Sequence, residues 1–197
     1  MLKIARFALA LILFLPVSLT LHAEEIKLTL DPKHSYLIWH VEHMGFSTQA
    51  GKWYVSGNLS IDKEKPENSK VQVVIKIADL VTGIPELDKH MLGPLLLDAA
   101  KYPTAEFVSN KVQLMGKDSA KVHGTLTLHG VSKPVTLDVT LKKIGKNPMN
   151  DKDTVGFSAK TEIKRSEFNI KSLLPQVGDQ VKIEIGAEAY KESNEHR

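Results

Sequence analysis

Apolar residues recur at every second position through most of this chain. Between residues 35 and 43, Ser35, Leu37, Trp39, Val41 and His43 share one parity, and Tyr36, Ile38, His40 and Glu42 share the other. Trp53, Val55, Leu59 and Ile61 repeat the pattern, as do Val71, Val73, Ile75 and Ile77 opposite Gln72 and Lys76. Further on, Val122, Leu126 and Leu128 alternate with His123, Thr125 and Thr127, and Val135, Leu137, Val139 and Leu141 alternate with Thr136, Asp138 and Thr140. Val155, Phe157, Ala159 and Ile163 follow the same rule, and Val181, Ile183, Ile185 and Ala187 face away from Lys182, Glu184 and Glu188. A period of two predicts antiparallel strands with one apolar and one wet face.

Polar breaks separate the runs. Asp62 to Ser69 contains Pro66, and Gly116-Lys117-Asp118, Gly130-Val131-Ser132-Lys133-Pro134 and Lys146 to Asp153 read as hairpin connections. One long segment, residues 79 to 103, departs from the alternation. It suits two short helices, Glu86 to Leu92 and Leu95 to Tyr102, split at Gly93-Pro94, and its place is over one end of the sheet. An all-β chain of about eight strands must hide its apolar faces, either in a two-sheet sandwich or in a barrel. Periodicity alone does not separate the two.

The first residues add a destination. Lys3 and Arg6 precede a mostly apolar run from Phe7 to Leu21, then Leu-His-Ala before Glu24. This is the plan of a secretory signal peptide over residues 1–23, cleaved after Ala23. The run is short for a membrane span, which needs roughly 20 apolar residues. The expected organisation is then one domain over residues 24–190 and a polar tail over 191–197. Cleavage would take two of the 26 basic residues, leaving 24 against 23 acids. That balance gives no electrostatic case for nucleic acid. The chain has no cysteine, which removes disulfides, thiolate nucleophiles and sulfur ligands from consideration.

Candidate chemistry centres on His34, His40 and His43. On a strand His40 and His43 point to opposite faces, and His34 lies roughly 20 Å from His40, so the three do not form a metal site. His40 belongs to the wet face. His43 shares the parity of Trp39 and Val41, as a satisfied core group or as the polar group that orients an apolar ligand. No nucleophile elbow, phosphate loop, zinc-protease or dinucleotide motif occurs.

The segments DPKHSYLIWHVEHMGFST and GKWYVSGNLSID resemble the opening of the YceI-like family. Asp88-Lys89-His90, Lys101 to Phe107, Gly124 to Val131, Lys133-Pro134-Val135, Gly156 to Ala159, Lys164 to Phe168 and Val177-Gly178-Asp179 continue the likeness in order. The chain departs from the family pattern at Leu87-Asp88, where an Arg-Asp pair is frequent, and at Asn147 to Asn150, where the family often has Asp-Pro-Trp-Gly.

The resemblance implies a lipocalin-like antiparallel barrel with a short helical lid, periplasmic export, no catalytic chemistry, no cofactor and no metal. It implies binding of a long-chain polyisoprenoid or isoprenoid quinone. The ligand-binding set expected on this basis is Leu37, Trp39, Val41, His43, Trp53, Val73, Ile75, His90, Phe107, Phe157, Phe168 and Ile183. The apolar stretch Leu87 to Leu97 is expected to meet a membrane transiently, and a homodimer is compatible with the pattern. Two alternatives stand beside the lipid carrier: an enzyme acting on a lipid inside the barrel, and a stress-linked interaction module with a filled core.

Overall fold

The computed structural model describes residues 25–191. The expected signal peptide and all but the first residue of the polar tail lie outside them. Ten strands form one sheet in which every neighbouring pair is antiparallel. They are β1 (Glu25–Leu30), β2 (Tyr36–His43), β3 (Ser47–Tyr54), β4 (Ser56–Asp62), β5 (Lys70–Lys76), β6 (Thr104–Leu114), β7 (Ser119–Leu128), β8 (Val131–Lys146), β9 (Asp153–Lys164) and β10 (Val177–Tyr190). The single α-helix described, α1 (Pro85–Leu92), lies in the expected break between β5 and β6.

The ten strands make an eight-stranded barrel because two of its staves are broken in the middle. β10 pairs with β2 from Val177 to Gly186 and then with β1 at Ala189 and Tyr190. β3 lies beside β2, and β4 lies beside β1. β1 with β2 and β3 with β4 therefore act as two bent strands, and the sheet closes on itself where β1 meets β10. That seam has two residue pairs, Thr29 with Tyr190 and Leu30 with Ala189.

Ser35 bridges the break beside the seam. Its side chain is fully buried, and its hydroxyl donates to the Glu188 carbonyl at 3.0 Å and accepts from the Glu188 amide at 3.2 Å. Its own carbonyl accepts the Val55 amide at 3.0 Å, at the bend between β3 and β4. The residue thus supplies a rung where the backbone has turned away from β10.

Alternation changes parity at two irregularities. In β6, Phe107 faces the interior, a register shift falls between Ser109 and Lys111, and Val112 and Leu114 then face inward. In β8 a shift between Leu141 and Lys143 turns Ile144 inward after Leu141. An extra residue on one strand moves every later side chain to the other face.

Two sequence expectations are corrected. Leu95 to Tyr102 is not a helix but a series of turns, because Asp98 takes a left-handed conformation at φ 44° and the Lys101 and Tyr102 amides both fold back to its carbonyl. Gly130 to Pro134 is not a loop. His129 and Gly130, at φ 51° and 73°, make the two-residue turn, and β8 begins at Val131. Pro134 is tolerated there because pairing with β9 starts only at Asp138, so its missing N–H leaves no rung empty.

Replacing Ser35 by Ala leaves the Glu188 amide without its acceptor in a dry site. The variant is expected to lose about 1–3 kcal/mol of stability, read from urea unfolding curves. A variant as stable as the parent would show that the seam does not need this rung.

Candidate functional site

The barrel interior is a cavity of about 870 Å³, not a filled core. This is within the roughly 300–1,000 Å³ typical of small-molecule sites, and it removes the filled-core alternative. Its wall is built from the inward parity of every stave. Leu37, Trp39, Val41 and His43 on β2, Trp53 on β3, Val73 and Ile75 on β5, Phe107 on β6, Phe157 on β9 and Ile183 on β10 all line it.

His90, at the end of α1, is exposed and borders the cavity from the lid. Phe168 is the member of the expected set that does not reach it. It lies past the end of β9 in a short 3-10 turn, Arg165–Phe168, where strand parity no longer applies, and it borders a separate hollow beside Pro134. Its ring is buried and its carbonyl accepts from His129 Nδ1 at 3.2 Å.

Two glycines keep the bore open. A Cβ on Gly51 would sit 2.4 Å from the Trp39 ring, and one on Gly124 would sit 2.5 Å from the Phe107 ring. Each ring therefore lies along the wall over its cross-strand or neighbouring glycine rather than across the lumen. The Trp39 and Trp53 rings stand 6.3 Å apart at 44°. The Trp53 indole donates to the Ile77 carbonyl at 3.1 Å, which ties the inner wall to the start of the lid segment.

The lid covers the end of the barrel at which β2 finishes and β10 starts. It is pinned by the reciprocal backbone bonds of Lys52 and Val81 at 2.8 and 2.9 Å, and by the Ile77 amide on the Pro103 carbonyl at 2.9 Å. Within it, Asp88 accepts the Thr82 amide at 2.8 Å and fixes the approach to α1. Leu87, Met91, Leu96 and Leu97 line the cavity, whereas Leu95 is 70% exposed. The apolar lid stretch thus has an inner and an outer face.

Arg165 holds the opposite side of this end. Its guanidinium is buried and donates to four backbone carbonyls, those of Gly178, Ile170, Ser172 and Val177, at 2.8 to 2.9 Å. Burial pushes its pKa down and nearby Asp179 opposes the shift. Asp179 in turn accepts both the amide and the hydroxyl of Ser166, at 2.8 and 2.7 Å. Burial alone would raise the Asp179 carboxyl, but those bonds outweigh it and hold it below the usual carboxylate range. The sequence carries no local signal for this role of Arg165, since nothing near it shows that one side chain will close a loop from 165 to 178.

The three histidines of the opening segment separate. His40 is on the outer face, and His43 is on the inner wall near Gln49. His34 is on the surface, with Nδ1 2.8 Å from the Asp31 carboxylate. Among the described residues no three histidines or acids are grouped to hold a metal ion. Donation of its hydrogen bond to the Asp31 carboxylate raises the His34 pKa above the usual histidine value. Burial would raise Asp31, yet the bonds from His34 and the Lys33 amide dominate and lower it.

A closed antiparallel barrel around an apolar, lidded lumen is a container of the lipocalin-like class. Residues 28–189 match the YceI-like domain family, and the chain belongs to it. A UPF0312 protein of Pseudomonas putida is 40% identical over 150 residues, covering 76% of this chain and 78% of the relative. One from Pseudomonas fluorescens is 37% identical over 173 residues, covering 86% and 88%. Among solved structures, Burkholderia cenocepacia BcnA aligns with TM-score 0.73 and 26% identity over 81% of this chain and 98% of its own. The Campylobacter jejuni YceI protein aligns with TM-score 0.68 and 30% identity, over 77% and 90%. A polyisoprenoid binding domain from Saccharophagus degradans shares the fold, with TM-score 0.67 at 17% identity over 85% and 99%.

The Asp31–His34 pair has a defined pH window. The His34 contribution is complete below the ordinary histidine value of 6.5 and is lost as pH rises through its raised pKa. The Asp31 contribution is complete above 3.8 and is lost as pH falls through its lowered pKa. In a proton NMR titration His34 is expected to titrate above 6.5, and Asp31→Asn to move it back toward that value. An unmoved midpoint would mean that the contact is not made in solution.

Proposed function

We propose that this protein binds a long-chain isoprenoid lipid, a polyisoprenoid or an isoprenoid quinone, and sequesters or carries it in the periplasm without chemical change. The observation that carries this function is the bore itself: an apolar lumen enclosed along its length, with polar groups gathered at its ends. An isoprenoid tail in water costs roughly 25 cal/mol per Å² of exposed apolar surface, and enclosure removes that cost. Family membership and the likeness to a fold described elsewhere as polyisoprenoid-binding support the choice of tail. At the lid end, His43 and Gln49 offer hydrogen bonds to a neutral head such as a hydroxyl or quinone carbonyl.

Mass spectrometry of lipid extracted from the purified protein tests the function directly, and an isoprenoid is the expected species. For a neutral isoprenoid alcohol, His43→Ala should weaken binding by about 0.5–1.5 kcal/mol, the scale of one hydrogen bond. His40→Ala should leave binding unchanged. Equal losses at both positions in a fluorescence titration would place the head outside the lumen.

The lid is proposed as gate and transient membrane contact through Leu87 to Leu97. A tail that passes from one apolar phase into another avoids water, so an exposed Leu95 over inward Leu96 and Leu97 lowers the barrier to exchange. Serine at all three positions should slow lipid transfer from vesicles more than it lowers equilibrium affinity. Unchanged transfer in a folded variant would assign the segment to packing alone.

A further inference from the structure

The β6–β7 and β8–β9 hairpins project from the end of the barrel opposite the lid. Residues 111–121 and 142–153 together carry seven lysines and three acids. The lid segment, residues 76–104, carries three lysines and four acids, and the loop between β4 and β5, residues 62–70, carries three of each. Positive charge is thus concentrated on two hairpin tips. Apolar side chains stand among it: Met115 is 55% exposed, Ile144 62% and Met149 90%.

The β8–β9 hairpin reaches furthest. Its last bond to the neighbouring hairpin runs from the Leu141 amide to the Asp118 carbonyl at 2.8 Å, and beyond it β8 pairs only with β9, from Lys143 with Gly156 to Lys146 with Asp153. The turn satisfies its own polar groups. The Asn147 amide donates to the Lys152 carbonyl at 2.9 Å, and the Asp151 amide donates to the Asn147 carbonyl at 2.8 Å. The Asn147 and Asn150 side chains accept the Met149 and Lys152 amides at 2.9 and 3.1 Å. Lys146 lies 3.6 and 3.8 Å from the Asp151 and Asp153 carboxylates, so it answers the negative charge of the tip. Among the described residues Lys117, Lys142 and Lys143 form no ion pair.

A turn that is hydrogen-bonded within itself can enter a medium poor in water without leaving polar groups unmatched. Met149 at the apex and free ammonium groups a few residues behind it suit the two layers of a membrane surface, acyl chains first and phosphates above them. A soluble polyanion would use the lysines and give Met149 nothing to contact. We propose that this end of the barrel is a docking surface for an anionic lipid bilayer, with the β8–β9 hairpin as its anchor. The lid points the other way, so holding the protein on a membrane and exchanging cargo through the lid are separate encounters. Docking of this kind does not depend on what the lumen carries.

Sedimentation with sucrose-loaded vesicles tests the surface. The protein should bind vesicles of phosphatidylcholine containing phosphatidylglycerol, and bind those of phosphatidylcholine alone far more weakly. A variant with Lys142→Gln and Lys143→Gln should lose about thirtyfold in affinity for the anionic vesicles, at about fivefold for each lysine near the surface. Lys142→Arg with Lys143→Arg should keep the parent affinity. Salt at about 0.5 M, where the Debye length is about 4 Å, should release the parent. A Met149→Trp variant reports insertion: its emission should shift to the blue on anionic vesicles and be quenched by brominated acyl chains, and heparin should produce neither change. Leu95→Ser, on the lid, should bind as the parent does.

Equal binding to the two kinds of vesicle, or binding that survives loss of both lysines, overturns the docking surface. Vesicle binding without a blue shift in the Met149→Trp variant overturns the anchor in favour of a general polyanion site. A loss from Leu95→Ser as large as that from the lysines assigns docking to the lid end instead.

Discussion

Everything in this molecule depends on closing a sheet whose inner face is apolar from end to end. The stave made by β1 and β2 closes on β10 through seven residue pairs from β2 but only two from β1, Thr29 with Tyr190 and Leu30 with Ala189, because β1 and β2 part at the Asp31–Ser35 turn. The buried Ser35 hydroxyl makes that shortage tolerable by acting as a rung of the ladder on Glu188. Asp31 contributes from the same turn, its amide on the Glu188 carbonyl at 2.8 Å and its carboxylate on His34. A segment that looked chemical, with an acid, a histidine and a serine within five residues, is thus a clasp. Its polar groups are consumed by architecture and leave no acid-base pair facing the lumen.

The lumen stays open for a related reason. Trp39 and Phe107 are the bulkier side chains here, and Gly51 and Gly124 leave room for their rings against the wall. Burial is retained while volume is kept. At the two ends the sheet's apolar face gives way to polar side chains, and there the ends diverge. One is capped by α1 and the turns after it, and the other is left between hairpin loops. An interior with distinct ends can read the direction of an elongated guest as well as its thickness.

Much of this was legible in the sequence. The inward faces of β2, β5, β9 and β10 follow from alternation alone, and the break at residues 79 to 103 correctly marked the place of a lid. What was not legible has physical causes. Phe168 fell outside the lumen because parity carries information only while the chain remains a strand. The inward turn of Val112, Leu114 and Ile144 required a bulge on each strand; the switch from odd to even apolar positions is its trace in the sequence. Arg165 was hidden because its four acceptors are backbone carbonyls, which any sequence supplies. The helix expected at Leu95 to Tyr102 failed because a left-handed Asp98 was not foreseeable from composition. Lys63 and Lys117, on the cavity wall away from the lid, escaped because they lie in loops, where alternation says nothing.

The position of the seam along the chain has a consequence for how the protein comes into being. It joins the first described strand to the last, so the contact that closes the ring is also among the longest in sequence. Loop closure of that span carries an entropy cost that local hairpins do not, and it delays completion of the fold. Until β10 is in place the remaining strands make only an open sheet with its apolar face uncovered. The timing of closure is thus written into the order of the strands.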